Sequence, residues 1–251
     1  MTTPKGKRKV GLARALSKLG FCSRSVGFGL ALEGRVEVNG IVRRDPEFPI
    51  HFDKDRIVVD RQTLKAETRI YLMMNKPRGV VTTASDEKGR ETVYAHLDHG
   101  LPWVVPVGRL DKASEGLLLL TNDSEWGNRI ASPESHLEKT YHMQIGATAS
   151  SELLKSMMHG VDTGIGVMRM KRATTLRKGE KNTWLEVVLD EGKNRQIRRI
   201  LQECGIKVLR LVRVAIGPLP LGDLPKGKVR RLSEAEKGGL DRAIAAHQHR
   251  D

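Results

Sequence analysis

Apolar and polar positions along the chain switch between a helical and a strand period several times, and the switches divide it. Leu12, Leu16 and Leu19 recur at helical spacing and Gly20 closes that first helix, while Ser23 or Ser25 caps a second helix that ends near Gly34. Val36-Glu37-Val38 then alternates into Asn39-Gly40, the dipeptide that best fits a two-residue hairpin turn, and Ile57-Val58-Val59 supplies another short strand. A linker is expected over 61–68. Beyond it the pattern becomes strand-rich, with predicted strands at 70–74, 104–107, 117–121, 140–145, 173–176, 184–189 and 208–216. Helical periods interrupt it at 124–130, 152–158 and 195–204, and Gly160 and Gly205 are the expected stops of the last two. This order predicts an α+β domain with a mostly antiparallel mixed sheet and flanking helices, preceded by a small N-terminal α/β domain. The expected boundaries are a basic tail at 1–9, a first domain at 10–62, a second at 68–232, and a polar tail, helical or frayed, at 233–251.

One place in this pattern is suited to chemistry. Pro106 and Gly108 punctuate the approach to Arg109-Leu110-Asp111, and the loop runs on through Lys112-Ala113-Ser114-Glu115-Gly116 into four consecutive leucines, Leu117 to Leu120. The leucines read as a strand covered on both faces, and Asn122-Asp123 as the turn that ends it. Asp111 is thereby predicted on a loop held by a rigid strand, at the lip of a sheet.

Charge narrows the partner. The 251 residues carry 44 Lys+Arg against 30 Asp+Glu, a formal net charge of +14, so the chain should attract polyanions, nucleic acid first. A membrane surface is the rival, but no apolar run approaches the roughly 20 residues of a spanning helix, and the basic N-terminus lacks an apolar signal core. The expectation is a cytoplasmic protein without a membrane partner. Cys22 and Cys204 are the only two cysteines and stand far apart, which gives neither a disulfide framework nor a zinc site. The pairs His96/His99 and His247/His249 lack further ligands, so no metal is expected.

Each candidate segment also has an ordinary reading. Asp111 in an isolated Arg-Leu-Asp would be a turn cap or the partner of Arg109 or Lys112, and Tyr141 in Lys139-Thr140-Tyr141 would be a half-buried strand residue. The run Glu191-Gly192-Lys193-Asn194-Arg195-Gln196-Ile197-Arg198-Arg199 would be a solvated basic helix end. Against that last reading, Ile197, Ile200 and Leu201 mark the buried face, which gathers Arg195, Arg198 and Arg199 on the other. Cations at a helix N-terminus cost stability, and together with free amides they point to a bound phosphate.

Taken together, the motifs resemble a known family. Asn75-Lys76-Pro77-Arg78-Gly79-Val80-Val81-Thr82-Thr83, Gly108-Arg109-Leu110-Asp111 through Asn122-Asp123, Glu138-Lys139-Thr140-Tyr141, the Glu191 to Arg199 run, and Ile216-Gly217-Pro218-Leu219 through Leu224 are similar, in order, to the ribosomal RNA pseudouridine synthases of the RsuA/RluB type. Upstream, Arg14-Ala15-Leu16-Ser17-Lys18-Leu19-Gly20-Phe21-Cys22-Ser23-Arg24-Ser25 and Gly34-Arg35-Val36-Glu37-Val38-Asn39-Gly40 resemble the small RNA-binding domain first seen in ribosomal protein S-four.

The resemblance implies an enzyme that breaks the bond between ribose and the uracil nitrogen, rotates the base and rejoins it through a ring carbon, with no cofactor and no metal. It makes Asp111 the catalytic carboxylate, attacking the ribose carbon or removing a ribose proton. Lys193 would pair with Asp111 to keep it charged and oriented, and Tyr141 would stack on the uracil and shuttle the departing proton. Arg109 would fill the space left by the flipped base; Arg195, Arg198 and Arg199 would hold phosphates; and Gln196 would read a base edge. Lys76 and Arg78, on the stiff loop around Pro77, would position RNA, as would Arg14, Arg24 and Arg35 in the first domain. The partner implied is ribosomal RNA or an assembling ribosomal subunit, met by a monomer.

Two departures from the family pattern stand out. The second helix carries Ser25-Val26-Gly27-Phe28-Gly29, whose glycines each cost about 1 kcal/mol relative to alanine, and Ala113-Ser114 replaces a more usual Asp-Thr pair. Two other functions compete. A noncatalytic RNA-binding or ribosome-assembly protein would function normally as Asp111→Ala, and a carboxylate hydrolase would need a second acid, for which only Glu115 and Asp123 lie near in sequence. A dinucleotide site at Gly164-Ile165-Gly166 fails because Arg169 stands where the third glycine belongs.

Overall fold

The computed structural model describes residues 9–65 and 68–248, with side chains described as far as residue 246. The basic stretch 1–8 and the histidines at 247 and 249 therefore lie outside the described side chains. The chain divides into two compact units, Met1–Ile70 with Asp98–Val105 and Thr121–Ser124, and Tyr71–Leu97 with Pro106–Leu120 and Glu125–Asp251.

In the first unit, helix α1 (Leu12–Lys18) packs on helix α2 (Arg24–Leu32), whose N-cap Ser23 accepts a hydrogen bond from the Val26 amide. Leu12, Leu16, Leu30 and Ala31 close this core with Val36, Val38, Ile50, Ile57 and Val59 from the strands. One of the two costly glycines has a packing reason: a Cβ on Gly27 would stand 3.2 Å from the Ala13 carbonyl oxygen of α1. The Asn39-Gly40 turn has positive φ at both residues, 54° and 79°, and joins the Val36–Val38 and Ile41–Val42 strands, as that dipeptide predicts. The expected linker begins later than the sequence suggests, because Gln62–Thr63 turns back through Asp60 and Arg61, both in left-handed conformation, to pair with Ile57–Val59.

The second unit is built on a mixed sheet whose strands run, from one edge, Arg172–Lys178, Thr183–Leu189, Lys139–Ile145, Val208–Ile216, Glu115–Thr121, Tyr71–Lys76 and Val229–Arg231. The first four are joined by antiparallel pairings, and Val208–Ile216 meets Glu115–Thr121 in parallel, with Val212 opposite Glu115 and Arg213 opposite Gly116. All seven residues of Glu115–Thr121 are buried, as the leucine run predicts. Helices α4 (Ser151–His159) and α5 (Gln196–Glu203) help close one core, in which Met157, Ile197, Ile200 and Leu201 meet Met143, Leu185, Val187 and Leu211. Helices α3 (Ser124–Ala131) and α6 (Glu234–Gln248) help close the other, around Met73, Leu117, Leu119, Trp126 and Ile130. The segment expected as a polar tail is thus mostly helix, and Leu240 and Ile244 of α6 are core residues at 0% and 2% exposure. Sparse apolar positions hide a one-sided contact in a window scored for its mean polarity. No helix among the described residues is long and apolar enough to cross a membrane.

Candidate active site

A cleft of about 180 Å³ opens where the two cores of the second unit meet, with Ile130, Val107 and Ile216 on one side and Ile197, Leu211 and Tyr141 on the other. Asp111 lies in its wall, partly exposed, four residues before the buried strand.

The loop that carries Asp111 is fixed through its backbone. Five consecutive carbonyls are taken: Leu110 O by the Thr82 hydroxyl (2.8 Å), Asp111 O by the Ser114 amide (2.9 Å) and the Lys76 ammonium (3.3 Å), and Lys112 O by the Gly79 amide (2.8 Å). Ala113 O accepts from Arg198 Nη2 (3.1 Å) and Ser114 O from Lys76 Nζ (2.9 Å). Holding every peptide of the turn confines the carboxylate without using its own oxygens, which stay available for chemistry.

Lys76 is therefore not a surface contact for RNA, as its place beside Pro77 suggested. It is fully buried, ends the Tyr71–Lys76 strand, and donates to the Pro77, Asp111 and Ser114 carbonyls. Desolvation pushes its ammonium down to about 8, against the opposing pull of Glu115 and Asp111. Arg78 is exposed, with one long hydrogen bond to Leu209 O (3.5 Å).

The expected Lys193–Asp111 pair does not form. The Lys193 ammonium rests on Glu191 at 3.0 Å, while Asp111 Oδ2 faces Arg195 Nη1 at 3.6 Å and Arg198 Nε at 3.7 Å. The backbone explains the change of partner. Arg195 is the N-cap of α5 in left-handed conformation (φ 52°), which turns the chain sharply after Asn194 and aims the Arg195 and Arg198 side chains toward the Asp111 loop. A non-glycine residue in that conformation is strained, and such strain concentrates at functional sites. Burial works against the Arg198 charge and holds it below the usual guanidinium value, with Asp111 as the supporting counter-charge.

Gln196 is likewise not placed to read a base. It is 2% exposed and ties the helix start to its neighbours: Nε2 donates to Arg169 O (2.9 Å) and Glu191 Oε1 (2.6 Å), and Oε1 accepts from the Lys193 amide. Arg199 turns back on Asn194, donating to its backbone and side-chain oxygens. Arg109 is exposed at the cleft rim. In the first unit Arg14 and Arg24 are exposed, whereas Arg35 is engaged by Glu33 and Asp60.

Tyr141 lines the cleft from the Lys139–Ile145 strand, and its hydroxyl has no hydrogen-bond partner among the described residues. Its strand places it opposite Arg213. Sequence reasoning missed Lys139 and Arg213, which line the same cleft. A signal existed for both: Lys139 alternates with Tyr141, and Arg213 with Leu211, at the two-residue period that puts side chains on one face.

For the hydrolase alternative, neither acid that lies near Asp111 in sequence joins it, and Glu191, which does line the cleft, is held by Lys193 and Gln196. Glu115 is 3% exposed and held by Arg210 (2.8 Å) and Lys226 (2.6 Å), and Asp123 is buried against Arg69 (3.1 Å), so neither lines the cleft.

The site is thus a loop-borne carboxylate flanked by arginines, beside a strand tyrosine in a cleft across a mixed sheet, assembled from the segments that carry the family resemblance. Residues 70–203 match the family model for RNA pseudouridylate synthase and residues 10–57 the S4 domain. The chain belongs to the RNA pseudouridylate synthase family. It is 37% identical over 237 residues to an uncharacterized RNA pseudouridine synthase of Aquifex aeolicus, covering 94% of this chain and 95% of that one. It is 32% identical over 238 residues to ribosomal large subunit pseudouridine synthase B of Bacillus subtilis, covering 94% and 97%. A crystal structure of a pseudouridylate synthase superposes with a TM-score of 0.64 at 28% identity, over 92% of this chain and 99% of that one.

Proposed function

We propose that the protein isomerises a specific uridine of ribosomal RNA to pseudouridine, with Asp111 as the catalytic carboxylate. The observation that carries this reading is the Asp111 carboxylate, held at 3.6 and 3.7 Å from Arg195 and Arg198 on a loop whose backbone is bonded throughout. The reaction breaks the bond between ribose C1′ and uracil N1, turns the base, and joins C5 to C1′. The C5 hydrogen leaves as a proton and N1 gains one, so nothing is consumed. Asp111 attacks the ribose carbon or removes a ribose proton, and the two arginines orient it. Tyr141 stacks on the uracil, and its unpaired hydroxyl shuttles the proton from C5, passing its own on toward N1 as it takes up the new one. Arg109, free at the rim, fills the gap left by the flipped base, and Arg195 extends toward a neighbouring phosphate.

Ribosomal RNA is favoured as the partner by the +14 net charge and by the S4 domain at residues 10–57. Large-subunit RNA, free or in an assembling particle, is the first substrate to test, because the Bacillus subtilis relative carries that subunit in its name. All the residues lining the cleft come from one unit of one chain, so a monomer suffices. The test is tritium release from large- and small-subunit RNA labelled at uracil C5. Release by the native protein and none by Asp111→Asn is expected; equal binding with no release by either would leave a noncatalytic RNA-binding protein.

A further inference from the structure

Two cations in the cleft have no role in the mechanism so far. Lys139 stands two residues before Tyr141 on the same face of its strand, and its strand neighbours, Leu189 and Ile216, line the cleft with it. Its ammonium has no hydrogen-bond or ion-pair partner among the described residues. Beside it, Arg213 is 6% exposed, donates from Nε to Leu117 O at 2.7 Å, and has a buried Nη2 with no acceptor. Buried polar groups are nearly always satisfied, so the orphaned Arg213 Nη2, beside a partly exposed ammonium that no described side chain holds, calls for a ligand that brings negative charge.

The proposed reaction, on which this inference rests, supplies such charge. When the C1′–N1 bond breaks, its electron pair moves onto the base and spreads over N1, O2 and O4. The charge disappears again when C5 bonds to C1′, the C5 proton leaves and N1 is protonated. Both routes open to Asp111 share this departure of an anionic base. We propose that Lys139 is a catalytic residue that holds a carbonyl oxygen of the departing uracil, with Arg213 behind it reinforcing the positive field. Lys139 keeps its proton throughout; it supplies charge where charge develops, in a partly buried site.

The surroundings suit that task. Desolvation and then the Arg213 charge push the Lys139 ammonium down to about 8, and Asp190 opposes them. The other charged groups lining the cleft are Arg109, Asp111, Glu191, Lys193, Arg195 and Arg198, with Glu191 paired to Lys193 and Asp111 facing Arg195 and Arg198. An ammonium held against two unfavourable influences gains most when an anion arrives, so it stabilises the separated base more than the neutral uridine.

The experiment compares native protein, Lys139→Met and Lys139→Arg by single-turnover tritium release, RNA affinity and thermal melting. Lys139→Met is expected to slow release roughly 100- to 1000-fold, with melting temperature and RNA affinity close to native. Lys139→Arg should recover most of the rate. Native release should fall as pH rises through about 8, where the Lys139 and Lys76 ammonium groups are both lost, and the fall should be clearly smaller in Lys139→Arg, in which only Lys76 is still discharged. A Lys139→Met rate within about threefold of native would sink the proposal. So would a loss confined to RNA affinity, which assigns Lys139 to a phosphate, or the same alkaline fall in native and Lys139→Arg. Absence of product from the native protein on every ribosomal RNA would overturn the enzyme reading beneath it, and the proposal with it.

Discussion

Gly116 and Arg213 face each other in the parallel pairing that joins the strand behind the Asp111 loop to the strand that floors the cleft, and their backbones are too close for a side chain. A Cβ on Gly116 would overlap the Arg213 carbonyl oxygen and stand 2.8 Å from its amide nitrogen, and Gly116 has φ +101°. Neither obstacle is a flexible side chain that can swing away. Gly116→Ala is therefore expected to destabilise the protein by about 3 kcal/mol, from strain and overlap together, and to lower activity by displacing the loop from the cleft floor. Urea denaturation measures the first effect, and a change below about 0.5 kcal/mol would contradict the account.

Lys76→Met tests the buried cation under the loop. Removing the ammonium leaves the Pro77, Asp111 and Ser114 carbonyls without that donor, and a loosened carboxylate should cost roughly 10- to 100-fold in single-turnover rate. The variant also has a pH signature. The Lys76 group is held down to about 8 when folded, below its ordinary value of 10.5, so between those limits the unfolded chain binds more protons than the native one. Stability due to this group must rise with pH across that window. The native protein is thus expected to gain on Lys76→Met in melting temperature from pH 8 to 10; a constant difference between the two would refute the assignment.

Arg198 and Lys193 separate the geometric reading from the one available in the sequence. Arg198 reaches both the Asp111 carboxylate and the Ala113 carbonyl, while Lys193 is committed to Glu191. Arg198→Ala should lower kcat about 100-fold with a smaller change in KM, and Lys193→Ala should stay within about threefold of native in both. The reverse ranking, measured by tritium release, would restore Lys193 as the partner of the carboxylate.

That misassignment shows where sequence reading stops. Asp111, Tyr141 and the helix that follows Arg195 were legible because glycine punctuation, a leucine run and strand alternation are local signals. So was the Asn39-Gly40 turn. Which member of the run Lys193, Arg195, Arg198 faces a carboxylate 80-odd positions away depends on one left-handed residue at the helix start, and backbone sign at an arginine leaves no trace in composition. Lys76 was misread for a related reason. Its charge suggests the surface, yet it is buried because loop carbonyls distant in sequence gather around it. Gly116 was legible as a glycine, but its need for one is set by a strand nearly 100 residues downstream.

Helix α6 yields the remaining test. Its composition reads as a polar tail, but Leu240 and Ile244 stand one turn apart and both enter the core with Trp126 and Ile130, while Asp241 accepts a hydrogen bond from the Trp126 indole at 2.9 Å. Ile130 itself lines the cleft, so α6 supports the wall opposite Tyr141 through α3. Leu240→Ala removes a fully buried side chain and is expected to cost about 2–5 kcal/mol, whereas alanine at the exposed Glu234, on the same helix, should change stability by less than about 0.5 kcal/mol. Because the damage lies behind the cleft wall, Leu240→Ala should also lose activity at temperatures below its own unfolding transition. Equal stability of the two variants in urea would return the segment to the status of a tail.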